Sequence, residues 1–161
     1  MPLKIEQAIF ENTVLAIKSV LNMMAGVDVK EKAIIANSKN DGVTGDVTGI
    51  IGLSNEQIKG SMAISLPEDM GKIVVANMLA VEPDDISDEE LKDGLGEITN
   101  MVAGDFNNRM GSIFKLSLPS VITGKRHVVS LTPNDKLTVF KFFALDDYFH
   151  LLTTFEEQNK K

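Results

Sequence analysis

Residues 57–66 alternate in character, with Ile58, Gly60, Met62, Ile64 and Leu66 on one side and Lys59, Ser61 and Ser65 among those on the other. Successive side chains of a strand point to opposite faces, so this segment is expected to be a β-strand with one face on an apolar core. Residues 47–53 also alternate, and Ser54, Asn55 and Glu56 between the two runs predict a hairpin. An antiparallel pair follows, and its neighbours decide the fold class.

Upstream, residues 5–24 make an amphipathic helix with Ile5, Ile9, Ala16, Val20 and Met24 on one wide face, and Gly26 is its stop. A short apolar run at 33–36 suggests a strand, and residues 40–45, rich in Asn, Asp and Gly, read as a loop. Downstream, Pro67 followed by Glu68 and Asp69 suits the first turn of a helix running to about Leu79. Pro83 ends the connection, and Ser87 with Glu90 has the capping-box spacing that opens a third, longer helix. After Gly111 the pattern turns to strands at 119–123, 127–131, 137–145 and 148–155, with turns at 133–135 and 146–147. Helices interleaved with hairpin-linked strands, without strict β-helix-β alternation, predict an α+β fold in which an antiparallel β-sheet is packed with α-helices. A chain of 161 residues is the size of one such unit, so a single domain over 1–161 is expected.

Hydrophobic residues at 43% and charged residues at 24% place the chain among folded globular proteins rather than disordered ones. Sixteen basic against twenty-three acidic residues give a formal charge of −7, and no basic cluster exceeds Lys125-Arg126 or Lys160-Lys161. Nucleic-acid binding, which rests on neutralising phosphates, is disfavoured. The absence of cysteine excludes disulfides, thiol catalysis and cysteine-ligated metal sites. Lys4, Glu6, Glu11 and Lys18 interrupt any signal-peptide core, and no run approaches the ~20 apolar residues of a spanning helix. The default expectation is a cytoplasmic location with no membrane partner.

The third helix carries the candidate functional residues. Counting about 100° per residue from Leu91, the residues Leu95, Ile98, Val102 and Phe106 fall within roughly 60° of it and form a buried stripe. Asp93, Glu97, Asn100 and Gly104 cluster on the opposite, outward side. Glu97 and Asn100 are three residues apart and hence neighbours on that face. Spacing alone carries little weight: Glu156 and Asn159 share it in a polar tail, and outward Glu and Asn are most often simply solvated. Composition adds more. Asparagine competes for the backbone in mid-helix, and Gly94, Gly96 and Gly104 each cost up to ~1 kcal/mol relative to alanine. Either something approaches this helix from outside or the glycines permit close packing. A carboxamide both donates and accepts, so it can hold a water in fixed orientation without ionising. Phosphoryl transfer to water depends on such positioning, and an adjacent carboxylate can pair with a cation of a substrate protein.

Other candidates are weaker. His127 and His150 lie on predicted strands and lack a third ligand at recognisable spacing, so no metal site is assigned. Gly42, Gly45, Gly49 and Gly52 match neither the P-loop nor the dinucleotide fingerprint and read as turn and strand residues. Met23, Met24, Met62, Met70, Met78, Met101 and Met110 sit in helical or strand patterns and are expected to fill the core.

The run Gly96-Glu97-Ile98-Thr99-Asn100-Met101-Val102-Ala103-Gly104 resembles the signature of the CheC/CheX/FliY phosphatases of bacterial chemotaxis, and Asp93 fits the polar position before the glutamate. Residues 119–124, from Pro119 to Gly124, resemble the family's proline-containing strand, and residues 60–65 resemble the strand before its connecting helix. The similarity spans roughly 47–124 and is closest to CheX, which carries one Glu-x-x-Asn site where CheC typically carries two. A second copy is missing from the first helix, where Glu6 and Glu11 are followed at the third position by Ile9 and Val14. The resemblance implies hydrolysis of the aspartyl phosphate on a response-regulator receiver domain such as CheY. In that case Asn100 would orient the water and Glu97 would engage the receiver's lysine, with Asp93, Gly96 and Gly104 on the partner-binding face. It further implies that the chain needs no cofactor of its own, the Mg²⁺ belonging to the phosphorylated receiver, and that homodimers form through the sheet. One departure stands out: the 18 residues between Asn100 and Pro119 are fewer than is usual in the family, which bears on partner choice. The alternatives are a non-catalytic module of the same fold that binds a receiver, and a dimeric signalling scaffold.

Overall fold

The structure, a computed structural model, describes residues 1–36, 42–133 and 136–158. Helix α1 (Leu3–Ala25) leads into strand β1 (Lys30–Ile35), then the hairpin of β2 (Val43–Ser54) and β3 (Ile58–Leu66). Helix α2 (Glu68–Leu79) follows, then a short 3-10 turn (Pro83–Asp85) and α3 (Asp88–Arg109). Strands β4 (Lys115–Leu116), β5 (Ser120–Val129), β6 (Leu137–Ala144) and β7 (Asp147–Glu157) complete the described elements. All pairings are antiparallel, in the order β1-β6-β7-β3-β2-β4, with β5 also paired to β2. The α+β expectation is met.

Register explains where the core sits. Met62 pairs with Ile51 on one side and Thr153 on the other, and Ile64 with Gly49 and Leu151, so these residues share one face. The helices cover that face, burying Ile17 and Leu21 of α1, Val74 of α2 and Leu95, Ile98 and Phe106 of α3 with Met62, Ile64, Phe140 and Phe142. The opposite face holds a smaller cluster of Ala63, Val129, Leu131, Leu137, Val139 and Leu152.

Helix ends follow their local chemistry. Gly26 takes a left-handed φ of 64° and closes α1, its N–H donating to the Asn22 carbonyl and the Val27 N–H to that of Leu21. Ser87 and Glu90 form the expected capping box, each side chain accepting from the other residue's N–H at 3.1 Å.

Two expectations change. Residues 43–45 belong to β2 rather than to a loop, since Val43, Thr44 and Gly45 pair with Val129, Val128 and His127. The strands expected at 119–123 and 127–131 are one strand, β5, interrupted by a bulge opposite Asp46 and ending at Val129. The Asp46 carboxylate accepts from the Arg126 N–H and from the Glu68 N–H, both at 2.9 Å. It thereby ties the bulge to the first turn of α2, whose preceding residue, Pro67, offers no side-chain cap. The expectations on Asn40, Asp41, Asn134, Asp135 and Asn159 lie outside the described residues.

The hydrogen bond from Arg126, then that from Glu68, hold the Asp46 carboxyl below its ordinary pKa against partial burial, with His127 and Lys125 adding to the lowering. Such a group contributes stability that is full above its unfolded-state value, near about 4, and is lost as pH falls through the lowered folded value. Asp46→Asn, which has one acceptor oxygen for two donors, should lower the urea midpoint at pH 7. That deficit should shrink through the pH range below about 4; a deficit independent of pH there would refute the assignment.

Candidate functional site

Helix α3 is held at three levels. Its start is capped as described. Its middle rests on β2 through Thr99, which is fully buried and whose hydroxyl donates to the Leu95 carbonyl at 2.7 Å. A Cβ at Gly49 would overlap Thr99 Oγ1, so glycine there is what lets the helix approach the strand backbone. Its last turn packs Phe106 against Phe114 and Phe155, with ring centroids 6.2 and 5.9 Å away. Asn107 then clamps the exit, its amide donating to the Phe114 carbonyl at 2.9 Å and its Oδ1 accepting from the Phe114 N–H at 3.0 Å.

With Leu91, Leu95, Ile98, Val102 and Phe106 all buried, the helical wheel holds. Asp93, Glu97 and Asn100 are exposed on the far side, and Gly104 is half-buried. Among the described residues neither the Glu97 nor the Asn100 side chain makes a hydrogen bond or ion pair within the chain. Both functional groups are thus free to meet another molecule. They line an open groove between α3 and the chain entering β5, together with Lys92, Asp93, Gly96, Leu118 and Pro119.

The three glycines of α3 divide between the two explanations. A Cβ at Gly94 would run into the Val75 side chain, so Gly94 serves the α2–α3 contact. Gly96 is buried below Val121, at ordinary contact distance for an added Cβ. Only Gly104 faces open space, with nothing within 4 Å of an added Cβ. It borders a second depression, shared with Asn100, Met101, Val20 and Met23.

The histidines stand apart from this face in hydrogen-bonded or packed settings. His127 contacts Thr48 Oγ1 and the Gly124 carbonyl, both at 2.7 Å, the latter through a donating Nδ1–H. Burial first, and Lys141 beside it second, push the His150 pKa below the usual range. Among the described residues no group of three or more His, Asp and Glu side chains could hold a metal ion.

A family model described as chemotaxis phosphatase CheX matches residues 47–143, more than half of the chain and the whole of α3. The chain belongs to the CheX family. Solved structures agree. A CheX from Desulfovibrio desulfuricans is 27% identical with a TM-score of 0.83, covering 92% of this chain and 99% of its own. A CheX from Vibrio vulnificus is 28% identical with a TM-score of 0.84, at the same coverage of both chains. A Borrelia burgdorferi CheX, solved as a CheX-CheY-BeF₃-Mg²⁺ complex, shares the fold at 23% identity and a TM-score of 0.70, covering 92% of this chain and 97% of that one. No curated protein sequence matches. No helix among the described residues of this CheX-family chain is long and apolar enough to cross a membrane.

Periodicity located the pair but not its supports. Thr99 and Gly49, Asn107 and Phe114, and Asp46 act through contacts between elements, which a wheel cannot display. Met23 was expected in the core and is instead 77% exposed, because it lies on the α1 flank turned from the sheet.

Since Glu97 and Asn100 are exposed and unbonded, Glu97→Gln and Asn100→Ala should change unfolding free energy by no more than about 0.5 kcal/mol. A loss of 2 kcal/mol or more in urea titrations would show a structural role instead. Gly49→Ala, by contrast, forces Thr99 off the strand and should cost about 1–3 kcal/mol by the same measurement; an unchanged midpoint would mean that the helix seat is not tight.

Proposed function

We propose that this CheX-family chain hydrolyses the aspartyl phosphate of a response-regulator receiver domain of the CheY kind. The observation that carries the reading is the adjacent, unpartnered Glu97 and Asn100 on the exposed side of a helix fixed to the sheet, in a chain of a chemotaxis phosphatase family. The structure of a relative with CheY supports the choice of partner.

In this reaction the water oxygen forms a bond to phosphorus while the bond from phosphorus to the aspartate oxygen breaks, leaving inorganic phosphate and a free carboxylate. Asn100 Oδ1 accepts a hydrogen bond from the water and its NH₂ group remains available to a phosphoryl oxygen, so the amide aligns the attack and stays neutral. Glu97 pairs with the receiver's lysine and sets the docking angle. Asp93 adds negative charge on the same side, and Gly104 keeps the surface low enough for a domain to approach. The Mg²⁺ arrives with the receiver.

Phosphate release from a phosphorylated receiver tests this. Asn100→Ala should slow the stimulated rate by about a hundredfold or more while the receiver still binds, as expected when water alignment is lost. Glu97→Lys should weaken binding at least about tenfold, because a cation would then face the lysine. An Asn100→Ala protein as fast as the unmodified one would end the catalytic reading, and binding without release by the unmodified protein would make the chain a receiver-binding module.

A further inference from the structure

We propose that Leu118 and Met23 are the apolar contacts by which this face grips the receiver domain, an inference that rests on the reading of Glu97 and Asn100 as the phosphatase pair. Scattered exposed apolar side chains are ordinary on protein surfaces. These two are set apart by position, since each lines a depression that also contains Asn100, one on either side.

Leu118 is 90% exposed, yet the backbone that carries it is pinned. The Ser117 N–H donates to the Gly52 carbonyl at 2.9 Å, and Ser117 Oγ accepts from the Gly52 N–H at 2.8 Å. The same hydroxyl lies 3.1 Å from the Leu118 carbonyl, to which it donates, and Pro119 follows directly. A leucine held in water on an anchored backbone gains by being covered. Met23 occupies the last turn of α1 across the open floor left by Gly104. The carboxylates of Asp93 and Glu97 line the same groove as Leu118, whereas Asp105, which lines the Met23 depression, is already paired with Arg109 at 2.7 Å.

Asn100 is thus flanked by a groove with an apolar side chain and two free carboxylates and by a depression with an apolar side chain. A receiver whose phosphorylated pocket reaches Asn100 spans both depressions, so its rim must supply an apolar side chain to each and a cation to the carboxylates. Methionine is flexible and adapts to different surfaces, whereas Leu118 on its fixed backbone discriminates by shape. Met23 adds affinity for any receiver, and Leu118 chooses among them.

The test uses the full chain, a receiver that it dephosphorylates, and beryllofluoride with Mg²⁺ as a stable stand-in for the phosphoryl group. Leu118→Ser and Met23→Ser should each raise Kd and KM about five- to tenfold, the loss expected for uncovering part of one apolar side chain, with kcat within about twofold. Val81→Ser, at an exposed apolar residue outside both depressions, is the control. Across a panel of receivers, Leu118→Ser should alter the ranking of KM values and Met23→Ser should not. Values of Kd and KM equal to the control, while Asn100→Ala still abolishes release, would overturn the inference and leave the phosphatase reading standing. Altered self-association of the Leu118→Ser protein with unchanged receiver affinity would overturn it in favour of a second copy as the occupant. Retained release by Asn100→Ala would remove the phosphatase reading instead, and the Kd values would then decide the docking contacts alone.

Discussion

The seat of Thr99 on the bare backbone of Gly49 is the contact on which the functional face depends. A helix over a sheet can roll about its axis, and a roll of one residue is about 100°. Thr99 removes that freedom: its side chain occupies the space a Cβ would fill at Gly49, and its hydroxyl is satisfied by Leu95, so its burial leaves no polar group unpaired. With Thr99 and Ile98 pointing inward, Glu97 and Asn100 have only the outward side left. The packing of the core is in this sense what aims the two polar side chains.

A second constraint acts at the end of the same helix. Asn107 pairs with both backbone groups of Phe114, and the rings of Phe106, Phe114 and Phe155 sit within 6.2 Å of one another. Together they turn the chain back toward β2, where the two residues of β4 and then Ser117 join that strand. Hence the approach to β5 passes beside Asn100 rather than away from it. The outward side of α3 and the chain entering β5 through Leu118 and Pro119 become the two walls of one groove.

How much of this could be read from the residues alone depends on the range of the interaction. The three helices, the β2–β3 hairpin and the outward pair were legible because each leaves a local period of 3.6 or 2, and the capping box because its partners are three residues apart. Asp46 left no such trace: its partners are Glu68 and Arg126, the latter 80 positions away, and a lone aspartate between two glycine-rich stretches looks like a turn residue. The same blindness split β5 in two, since Lys125 and Arg126 interrupt the alternation that the bulge absorbs. Gly49 and Gly52 of β2 were placed in strand, Gly45 was not, and the use of Gly49 emerged only with the helix that it admits. Met23 was misplaced because a methionine in a helical pattern says nothing about which flank the helix presents.

The stretch of 18 residues between Asn100 and Pro119 acquires a physical meaning in this setting. After α3 the chain has room for one tight turn, with Gly111 at a φ of 89° and Ser112 at 58°, and for a strand of two residues before Ser117 is captured by Gly52. A longer insertion would allow Leu118 and Pro119 to swing away or to be covered by a loop of their own. The short path instead keeps an exposed leucine at the edge of the groove that Glu97 and Asn100 line. In the proposed function, such a surface would discriminate by which neighbours it permits around the phosphoryl group, leaving the chemistry to Glu97 and Asn100. On that view, length variation between the helix and the proline strand is a means of changing partners without disturbing the pair.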